Sequence, residues 1–251
     1  MLLQREIRVV VDAQGRLVDT SNRWSGGAVL QIGQTPLVCS AVVSSPLDSD
    51  GMSVEVKDID QLMRVSLADV LQSGSTTLID MTSGLFRQLS KRLSLPIELK
   101  EISLASNPQN KITMQQASTN SALVTQQFEF SAAHQLVGCS EDGSARDFGK
   151  CARVHGHNYV FDVTVRVGLD RAAVEDVTTR LQRIVNSAVV AKLDHRNLND
   201  EVAEFSKINP TVEQITVVIW NLLAPQLGNE LVSVRLYETP KTWAEYCGPD
   251  A

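Results

Sequence analysis

The chain has 251 residues, of which 43% are hydrophobic and 21% charged, and its formal net charge is −6. This length suits one large or two small globular domains, and the composition excludes a mainly disordered chain. The acidic balance, with no run rich in lysine or arginine, argues against a nucleic-acid surface. No stretch approaches the roughly 20 apolar residues of a membrane span, and the charged start is not typical of a signal peptide. The four cysteines form no CxxC motif, so we predict a cytoplasmic protein.

The first half of the chain predicts two strands, two helices and another strand. Segments rich in β-branched residues at 5–15 and 36–45 predict the first two strands. The segments 53–72 and 80–93 have the apolar periodicity of amphipathic helices. A strand is predicted at 97–106, and the polar stretch after it, to about Gln127, is interpreted as a last strand and a linker.

The second half repeats this order. Alternating patterns at 126–134 and 157–167 predict two strands, separated by a long loop that contains Gly143 and Gly149. Helical periodicity covers about 174–192. A second helix is predicted up to about Leu227, with Thr211 as its N-cap and Gln214 completing a capping box. The apolar segment 231–238 predicts the last strand.

The two halves therefore read as two copies of one ββααβ(β) unit, over residues 1–118 and 123–251. Residues 102–114 align with 234–246 without gaps. The first unit contains no histidine, so we interpret it as a copy that keeps the scaffold and lacks the site. The alignment pairs residues of the two halves as follows: Ser106 with Glu238, Thr82 with Thr211, and Gly84 with Glu213.

All four histidines lie between positions 134 and 195. His155 and His157 are two residues apart in a predicted strand, so their side chains point to the same face, and Gly156 between them leaves room for a neighbouring backbone. His134 ends the preceding strand and can lie beside them. Three neutral imidazoles with an open fourth position suit a catalytic zinc ion. The alternative is that these are ordinary surface histidines.

Three further features have the chemistry of a catalytic site. Cys151 lies four residues before His155, and a thiol beside a dication can act as base or nucleophile. The alternatives are a free, partly buried cysteine or a bridge to Cys139. Asp194 can orient His195 and stabilise its protonated form, although both also fit the polar end of a helix.

Two glutamates are also candidates. Glu238 ends an apolar strand, where its carboxylate can accept two parallel hydrogen bonds from a guanidine-like edge. Glu213 stands in the first turn of a helix, where the helix dipole favours a negative charge. The alternative for each is an exposed charge without a function.

Five motifs of the second half, in the same order, resemble those of the 6-pyruvoyltetrahydropterin synthase superfamily. They lie between Phe128 and Tyr246 and read FSAAHQL, CARVHGHNY, LDHRNLN, PTVEQ and ETPKTWAEY. The short spacing C-x-x-x-H-G-H is similar to that of bacterial 6-carboxytetrahydropterin synthases of the queuosine pathway. Gln214 stands where the family usually has asparagine.

The resemblance implies a role for each candidate residue. His134, His155 and His157 would bind zinc, and Cys151 would be the base at the substrate side chain. The remaining residues divide into a proton relay, Asp194 and His195, and the pterin site, Glu238 with Thr211 and Glu213.

The resemblance also implies a reaction and an assembly. The reaction converts 7,8-dihydroneopterin triphosphate into 6-carboxy-5,6,7,8-tetrahydropterin, acetaldehyde and triphosphate, so the protein would be a carbon–carbon lyase. The implied fold is α+β: tandem tunnelling-fold units (ββααββ) whose antiparallel sheets join into a barrel on oligomerisation. A trimer of tandem chains would mimic a hexamer of single units. Two alternatives stay open, namely a 6-pyruvoyltetrahydropterin synthase and a non-catalytic pterin-binding scaffold.

Overall fold

A computed structural model describes residues 1–19, 34–75, 77–107, 109–138, 146–169 and 171–249. The chain divides into two compact units. The first comprises Met1–Val124 with Val167–Glu175, and the second comprises Thr125–Arg166 with Asp176–Ala251. Among the described residues, no helix combines the length and the apolar character needed to cross a bilayer.

The first unit is an antiparallel sheet with two helices. Its strands follow the order β2-β1-β3-β4-β5, and each neighbouring pair is antiparallel. The helices α1 and α2 pack on each other, with α1 against β1 and α2 against β4 and β5. The elements are β1 Leu2–Val11, β2 Leu17–Asp19, β3 Thr35–Ser44, α1 Val56–Gln72, α2 Leu78–Arg92, β4 Glu98–Asn107 and β5 Asn110–Gln115.

The second unit has the strand order β10-β9-β7-β6, with the short strand β8 parallel to the end of β6. The pairs β7–β9 and β9–β10 are antiparallel, and helix α6 packs against β9 and β10. The strands are β6 Ser118–His134, β7 His155–Gly168, β8 Arg196–Asn197, β9 Leu231–Thr239 and β10 Thr242–Tyr246. The helices are α3 Arg171–Val185, α4 Ala191–Leu193, α5 Leu198–Glu201 and α6 Val212–Leu227.

The core of the second unit follows the alternation of β7. Tyr159, Phe161, Val163 and Val165 are fully buried, while the residues between them are partly exposed. Phe130 of β6 stacks on Tyr159 with ring centroids 4.9 Å apart. Because alternate residues of a strand share a face, His155 and His157 lie on the same face as this buried row, at the N-terminal end of β7.

The α+β class and the antiparallel character of the sheets are confirmed, with the parallel β8 as an exception. Each unit follows the predicted ββααββ order, to which the first unit adds the short strand β2 and the second unit adds the short elements α4, β8 and α5. Within the described residues the strand order of each unit is linear, so neither sheet closes into a barrel by itself.

One prediction about a chain segment was wrong. The polar stretch before Gln127 is not a linker, because its described residues form β5, a turn and the start of β6. Its polar side chains alternate with Ile112, Met114, Ala122 and Val124, which are buried. The helix predicted at about 174–192 is confirmed, and it contains a π-helical turn at Asn186–Val190 between α3 and α4.

The alignment of the two halves needs one correction. Thr82, which was paired with Thr211, is buried inside α2 and donates to the Leu78 carbonyl oxygen. The N-cap of α2 is Thr77, whose hydroxyl accepts from the amide of Asp80, as Thr211 does from Gln214 in α6. The hydrophobic pattern does not reveal this offset, because an N-cap depends on hydrogen bonding.

The hairpin alignment agrees with the registers. Asn107 pairs with Asn110 at the turn between β4 and β5, and Thr239 pairs with Thr242 at the turn between β9 and β10. Ser106 and Glu238 therefore both precede the last paired residue of their strands. Because Thr77 is the N-cap of α2, the first unit has Ile79 in the place of Glu213.

Replacing Phe161 with alanine tests the core of the second unit. Phe161 is fully buried and packs against Phe128 and Phe130. We expect Phe161→Ala to lower the free energy of unfolding by about 3–5 kcal/mol, because it leaves a cavity. Phe128→Ala is the matched control and should cost less, since Phe128 is only half-buried. Denaturant unfolding measures both, and equal losses would contradict this core.

Candidate metal centre and substrate site

The three predicted zinc ligands lie together at one end of the second unit. One ligand atom from each of His134, His155 and His157 lies within 4.8 Å of the other two. The ring centroid of His134 lies 4.5 Å from that of His155 and 5.2 Å from that of His157. His134 comes from the end of β6, and the other two come from the start of β7. The two strands thus supply the cluster as the sequence pattern predicts.

A close approach of the two strands brings these rings together. A Cβ atom built on Gly156 would lie 3.3 Å from the carbonyl oxygen of Ala132 and 3.9 Å from the Cα of Ala133. Both are backbone atoms, which cannot move aside as a flexible side chain can. A glycine between the two histidines therefore permits the spacing at which His134 reaches them.

Backbone carbonyls orient two of the imidazoles. The Nδ1 of His134 donates to the carbonyl oxygen of Pro210 at 2.7 Å, and the Nδ1 of His155 donates to that of Arg153 at 2.8 Å. In each neutral ring the second nitrogen, Nε2, is then an acceptor with a free lone pair. Histidine ligands of metals typically have such a partner on their other nitrogen, which sets the tautomer and the ring orientation.

The cluster fits a cation. The Nε2 atoms of His134 and His157 are buried and have no hydrogen-bond partner among the described residues. His134 is 2% exposed, and its burial lowers the pKa of the imidazole, which keeps the ring neutral as a ligand must be. Unpaired buried nitrogens cost free energy unless something binds them. A soft-to-borderline metal ion is the partner that three converging imidazoles suit.

Glu238 is the fourth side chain at this end of the unit. Its Oε1 lies 3.5 Å from Nε2 of His134 and 3.7 Å from Nε2 of His157, and the side chain is 20% exposed. It continues the face of β9 on which Val234 and Leu236 are fully buried. The predicted pterin anchor thus adjoins the predicted metal ligands.

Asp194 and His195 face each other, although they are adjacent in sequence. The Nδ1 of His195 donates to Oδ2 of Asp194 at 2.7 Å. His195 has a φ of 56°, a left-handed backbone conformation that is uncommon for residues other than glycine. This conformation places the imidazole where it can bond to the carboxylate of the preceding residue. His195 is largely exposed, so it is available to exchange protons with a bound molecule.

Ser131 holds this pair in place. Its amide donates to Oδ1 of Asp194 at 2.8 Å, and its carbonyl oxygen accepts from the amide of His195 at 2.6 Å. The bond from Ser131, followed by that from His195, lowers the pKa of the Asp194 carboxyl. The Ser131 hydroxyl donates to Oδ1 of Asn158 at 2.8 Å. A continuous set of hydrogen bonds therefore connects His195 with β7.

Two cavities lie beside these residues. One, of 460 Å³, is lined by His157, Asn158 and His195 together with backbone-rich segments of β6 and β8. The other, of 430 Å³, is lined by Asn158, Val160, Tyr237 and Glu238 with their neighbours on the β9–β10 turn. Asn158 lines both cavities and therefore borders the cavity of His195 as well as that of Glu238.

The other predicted residues are not brought into these cavities. Cys151 is a free, half-buried thiol in the turn Gly149–Ala152, and its carbonyl oxygen accepts from the amide of Leu136 at 2.8 Å. It does not join the histidine cluster. Thr211 is the N-cap of α6, next to Pro210, and Glu213 is exposed in the first turn of that helix. Cys139, the predicted alternative partner of Cys151, lies outside the described residues.

The predicted capping box is half formed. The Thr211 hydroxyl accepts from the amide of Gln214 at 3.3 Å, but the amide of Thr211 donates to the carbonyl oxygen of Asn209 at 2.8 Å. The Asn209 carbonyl thus takes the place that the Gln214 side chain would have.

Sequence reasoning missed several residues of the site. Tyr159 is fully buried, and its ring centroid lies 5.6 Å from that of His157. Burial, and next the charge of Glu238, raises the pKa of its phenol, whose oxygen has no partner among the described residues. The HGHNY alternation places Tyr159 on the face of the histidines, which is a signal for it. Ser131 and Asn158 have no such signal, because long-range contacts define their roles.

Known proteins resemble the half of the chain that carries this site. The 6-pyruvoyl tetrahydropterin synthase family model matches residues 123–249. A 6-pyruvoyl tetrahydrobiopterin synthase of Dictyostelium discoideum is 33% identical over 137 residues, which cover 52% of this chain and 98% of that protein. A putative 6-carboxy-5,6,7,8-tetrahydropterin synthase of Archaeoglobus fulgidus is 35% identical over 116 residues, which cover 46% of this chain and 87% of that protein.

Among solved structures, the 6-pyruvoyl tetrahydropterin synthase of Caenorhabditis elegans is similar, with 32% identity and a TM-score of 0.44. The match covers 51% of this chain and 96% of that one. The three matches therefore span nearly all of each relative and about half of this chain.

Substitution of one histidine at a time tests the cluster. We expect His155→Ala to reduce tightly bound zinc from about one ion per chain to well below one, because two imidazoles with an open site bind zinc less tightly than three. His195→Ala is the control and should retain the ion, since His195 lies outside the cluster. Elemental analysis after gel filtration measures the content. Undiminished zinc in His155→Ala would refute the site.

Proposed function

We propose a reaction for this chain on the premise that it belongs to the 6-pyruvoyl tetrahydropterin synthase family. The chain converts 7,8-dihydroneopterin triphosphate and water into 6-carboxy-5,6,7,8-tetrahydropterin, acetaldehyde and triphosphate, and it depends on zinc. The observation that carries this proposal is the cluster of His134, His155 and His157 with Glu238 beside it. It supplies both a metal site and a carboxylate for the pterin ring at one end of the unit.

The zinc ion is held by the three imidazoles in this proposal. The carbonyl partners of His134 and His155 and the unpaired Nε2 atoms of His134 and His157 support the assignment. When bound, zinc supplies positive charge that stabilises negative charge developing on the substrate side chain. His134, His155 and His157 thus set where on the substrate the chemistry takes place, without taking part in proton transfer.

Glu238 recognises the pterin ring. A pterin has a guanidine-like edge with two N–H groups side by side, and a carboxylate accepts two parallel hydrogen bonds from such an edge. Glu238 is mostly buried, which strengthens these bonds relative to water. Thr211 and Glu213 complete the pterin pocket in this proposal. The hydrogen bond that caps α6 holds Thr211 in place.

Protons move through Cys151 and the Asp194–His195 pair. Cys151 removes a proton from the substrate side chain, and His195 returns one, with Asp194 stabilising the protonated imidazole. The 2.7 Å bond between Asp194 and His195 supports this pairing. Cys151 does not line the cavity that contains His195. We therefore propose that two chains complete a site together.

The proposed assembly is a homo-oligomer in which the antiparallel sheets join into a barrel of tunnelling-fold type. Three tandem chains would give six units, and the first unit, without histidine, would act as scaffold. The cytoplasmic location and the lack of nucleic-acid and membrane partners stay predictions from the sequence.

The nearest alternative product is 6-pyruvoyltetrahydropterin. It is favoured by the name of the Dictyostelium relative, whereas the name of the Archaeoglobus relative agrees with the carboxy product. We favour the carboxy product because three residues separate Cys151 from His155, the short spacing that carries the resemblance to the carboxy-forming enzymes.

Product analysis separates these reactions. Zinc-loaded protein with 7,8-dihydroneopterin triphosphate should release triphosphate and acetaldehyde in equal amounts, together with a carboxypterin, because the carbon–carbon bond breaks. Chromatography of the pterins and an alcohol dehydrogenase assay for acetaldehyde measure the products. Triphosphate without acetaldehyde would indicate the pyruvoyl product, and no turnover at all would leave only a binding protein.

Replacing the thiol tests the base. We expect Cys151→Ala to lower kcat at least about 100-fold with little change in zinc content, because general-base catalysis contributes about 10²–10⁴-fold. Cys247→Ala is the matched control, since Cys247 is an exposed cysteine outside the motifs, and it should retain full activity. Normal turnover by Cys151→Ala would contradict the assignment of the base.

A further inference from the structure

The carboxylate of Glu238 stands at the spacing of a metal ligand. Two ligands that are each about 2.1 Å from a tetrahedral zinc ion lie about 3.4 Å apart. Oε1 of Glu238 lies 3.5 Å from Nε2 of His134 and 3.7 Å from Nε2 of His157. The same oxygen thus keeps the spacing of a neighbouring ligand to two of the three imidazoles.

These distances are not those of hydrogen bonds. A carboxylate that accepted a proton from an imidazole nitrogen would lie at about 2.7–2.9 Å. Both Nε2 atoms instead have no hydrogen-bond partner among the described residues. The tautomer of His134, whose Nδ1 donates to Pro210, leaves its Nε2 with a lone pair that faces the carboxylate oxygen. Two acceptors facing each other in a buried place repel, unless a cation lies between them.

Burial and the strand framework make this arrangement specific. His134 is 2% exposed, and the side chains of His157 and Glu238 are 21% and 20% exposed. Glu238 extends the buried face of β9, and its neighbour Tyr237 pairs with Val160 of β7 and with Trp243 of β10. Its side chain leans toward the histidines, although it also borders the 430 Å³ cavity with Tyr237 and Thr239.

We propose that Glu238 is a fourth ligand of the metal ion while no pterin is bound, and that pterin binding draws it away. The inference rests on the proposed function, in which Glu238 also holds the ring. In the free protein a His₃Glu site is closed and has the character of a structural metal site. A pterin that takes the carboxylate for its guanidine-like edge opens the fourth position. The metal ion then becomes accessible only when a ring of the correct chemistry is in place.

This exchange gives Glu238 a role in selectivity. A molecule that carries the same triphosphate side chain on a base without the two adjacent N–H donors cannot compete for the carboxylate. It therefore meets a closed metal site, whatever its affinity for the rest of the pocket. Pterin affinity is lowered by this exchange, because the ring must displace Glu238 from the metal ion. The state in which Glu238 is free is less populated in the absence of pterin, and binding to such a state is weaker.

Metal binding by Glu238→Gln is the first arm of the test. We expect its zinc dissociation constant to rise about 10- to 100-fold or more, since even partners one shell beyond the ligands cost that much. Glu230→Gln is the matched control, because Glu230 directly precedes the other end of β9 and pairs with Arg180. Competition with a chromophoric chelator measures the zinc dissociation constants of the wild type and of the variants. Glu238→Asp keeps the charge on a shorter side chain, and its zinc dissociation constant should lie between those of the wild type and Glu238→Gln.

The absorption of the cobalt(II)-substituted protein is the second arm. Adding neopterin, which has the pterin ring, should change the ligand-field bands of the wild type, because a carboxylate leaves the ion. Glu238→Gln should show altered bands already without neopterin, and neopterin should not change them further. The Glu230→Gln protein should behave as the wild type does.

The result that overturns the proposal is a zinc dissociation constant of Glu238→Gln within twofold of the wild type, or cobalt bands identical to those of the wild type. Wild-type bands that do not respond to saturating neopterin overturn the exchange. Turnover is measured separately. If the cobalt bands depend on Glu238 but no product forms, the proposed reaction is wrong and the ligand assignment stands. If product forms but the bands do not depend on Glu238, the ligand assignment is wrong and the proposed reaction stands.

Discussion

The close approach of β6 and β7 at Gly156 is the constraint on which the site depends. The backbone of Ala132 lies so near that a Cβ at position 156 would be only 3.3 Å from its carbonyl oxygen. That spacing brings His134 beside His155 and His157. It also places Ser131, three residues before His134, where it can hold both Asp194 and His195. One strand pair thus positions the proposed metal ligands and the proposed proton relay together.

The helix α6 and the segment just before it contact both His134 and the strand that carries Glu238. The carbonyl oxygen of Pro210, just before the helix, orients His134, and the helix packs on β9, which carries Glu238. The residue that caps the helix, Thr211, follows directly. The residues proposed for the metal and pterin sites are therefore positioned by elements that also form the hydrophobic core.

The first unit contains no histidine, and its described residues show which features of the scaffold the two units share. It keeps the helix cap, at Thr77, and the register of the last hairpin, which are properties of folding. Ser106 stands in the place of Glu238, and Ile79 in that of Glu213. The two units thus share the cap and the hairpin register and differ at residues that we propose for the site.

Most of the fold could be predicted from local patterns, and part of the site could not. The alternation of β7 and the spacing of His155 and His157 are local, so the sequence predicts their shared face. The carbonyl partners, the clamp at Ser131 and the π-turn before Asp194 depend on contacts between distant segments or on backbone geometry. The linker was predicted wrongly because its polar composition is typical of a loop. The alternating buried residues of β5 and the start of β6 were the better indicator. The offset at Thr82 arose because the sequence alone does not show where a helix begins.

The most direct test of the account is a crystal structure of the zinc-loaded protein with anomalous diffraction data on both sides of the zinc edge. The account predicts one zinc peak per chain, at about 2.1 Å from Nε2 of each of His134, His155 and His157. A zinc-loaded crystal with its anomalous peak elsewhere, or with fewer than three of these nitrogens in contact with it, would contradict the central claim.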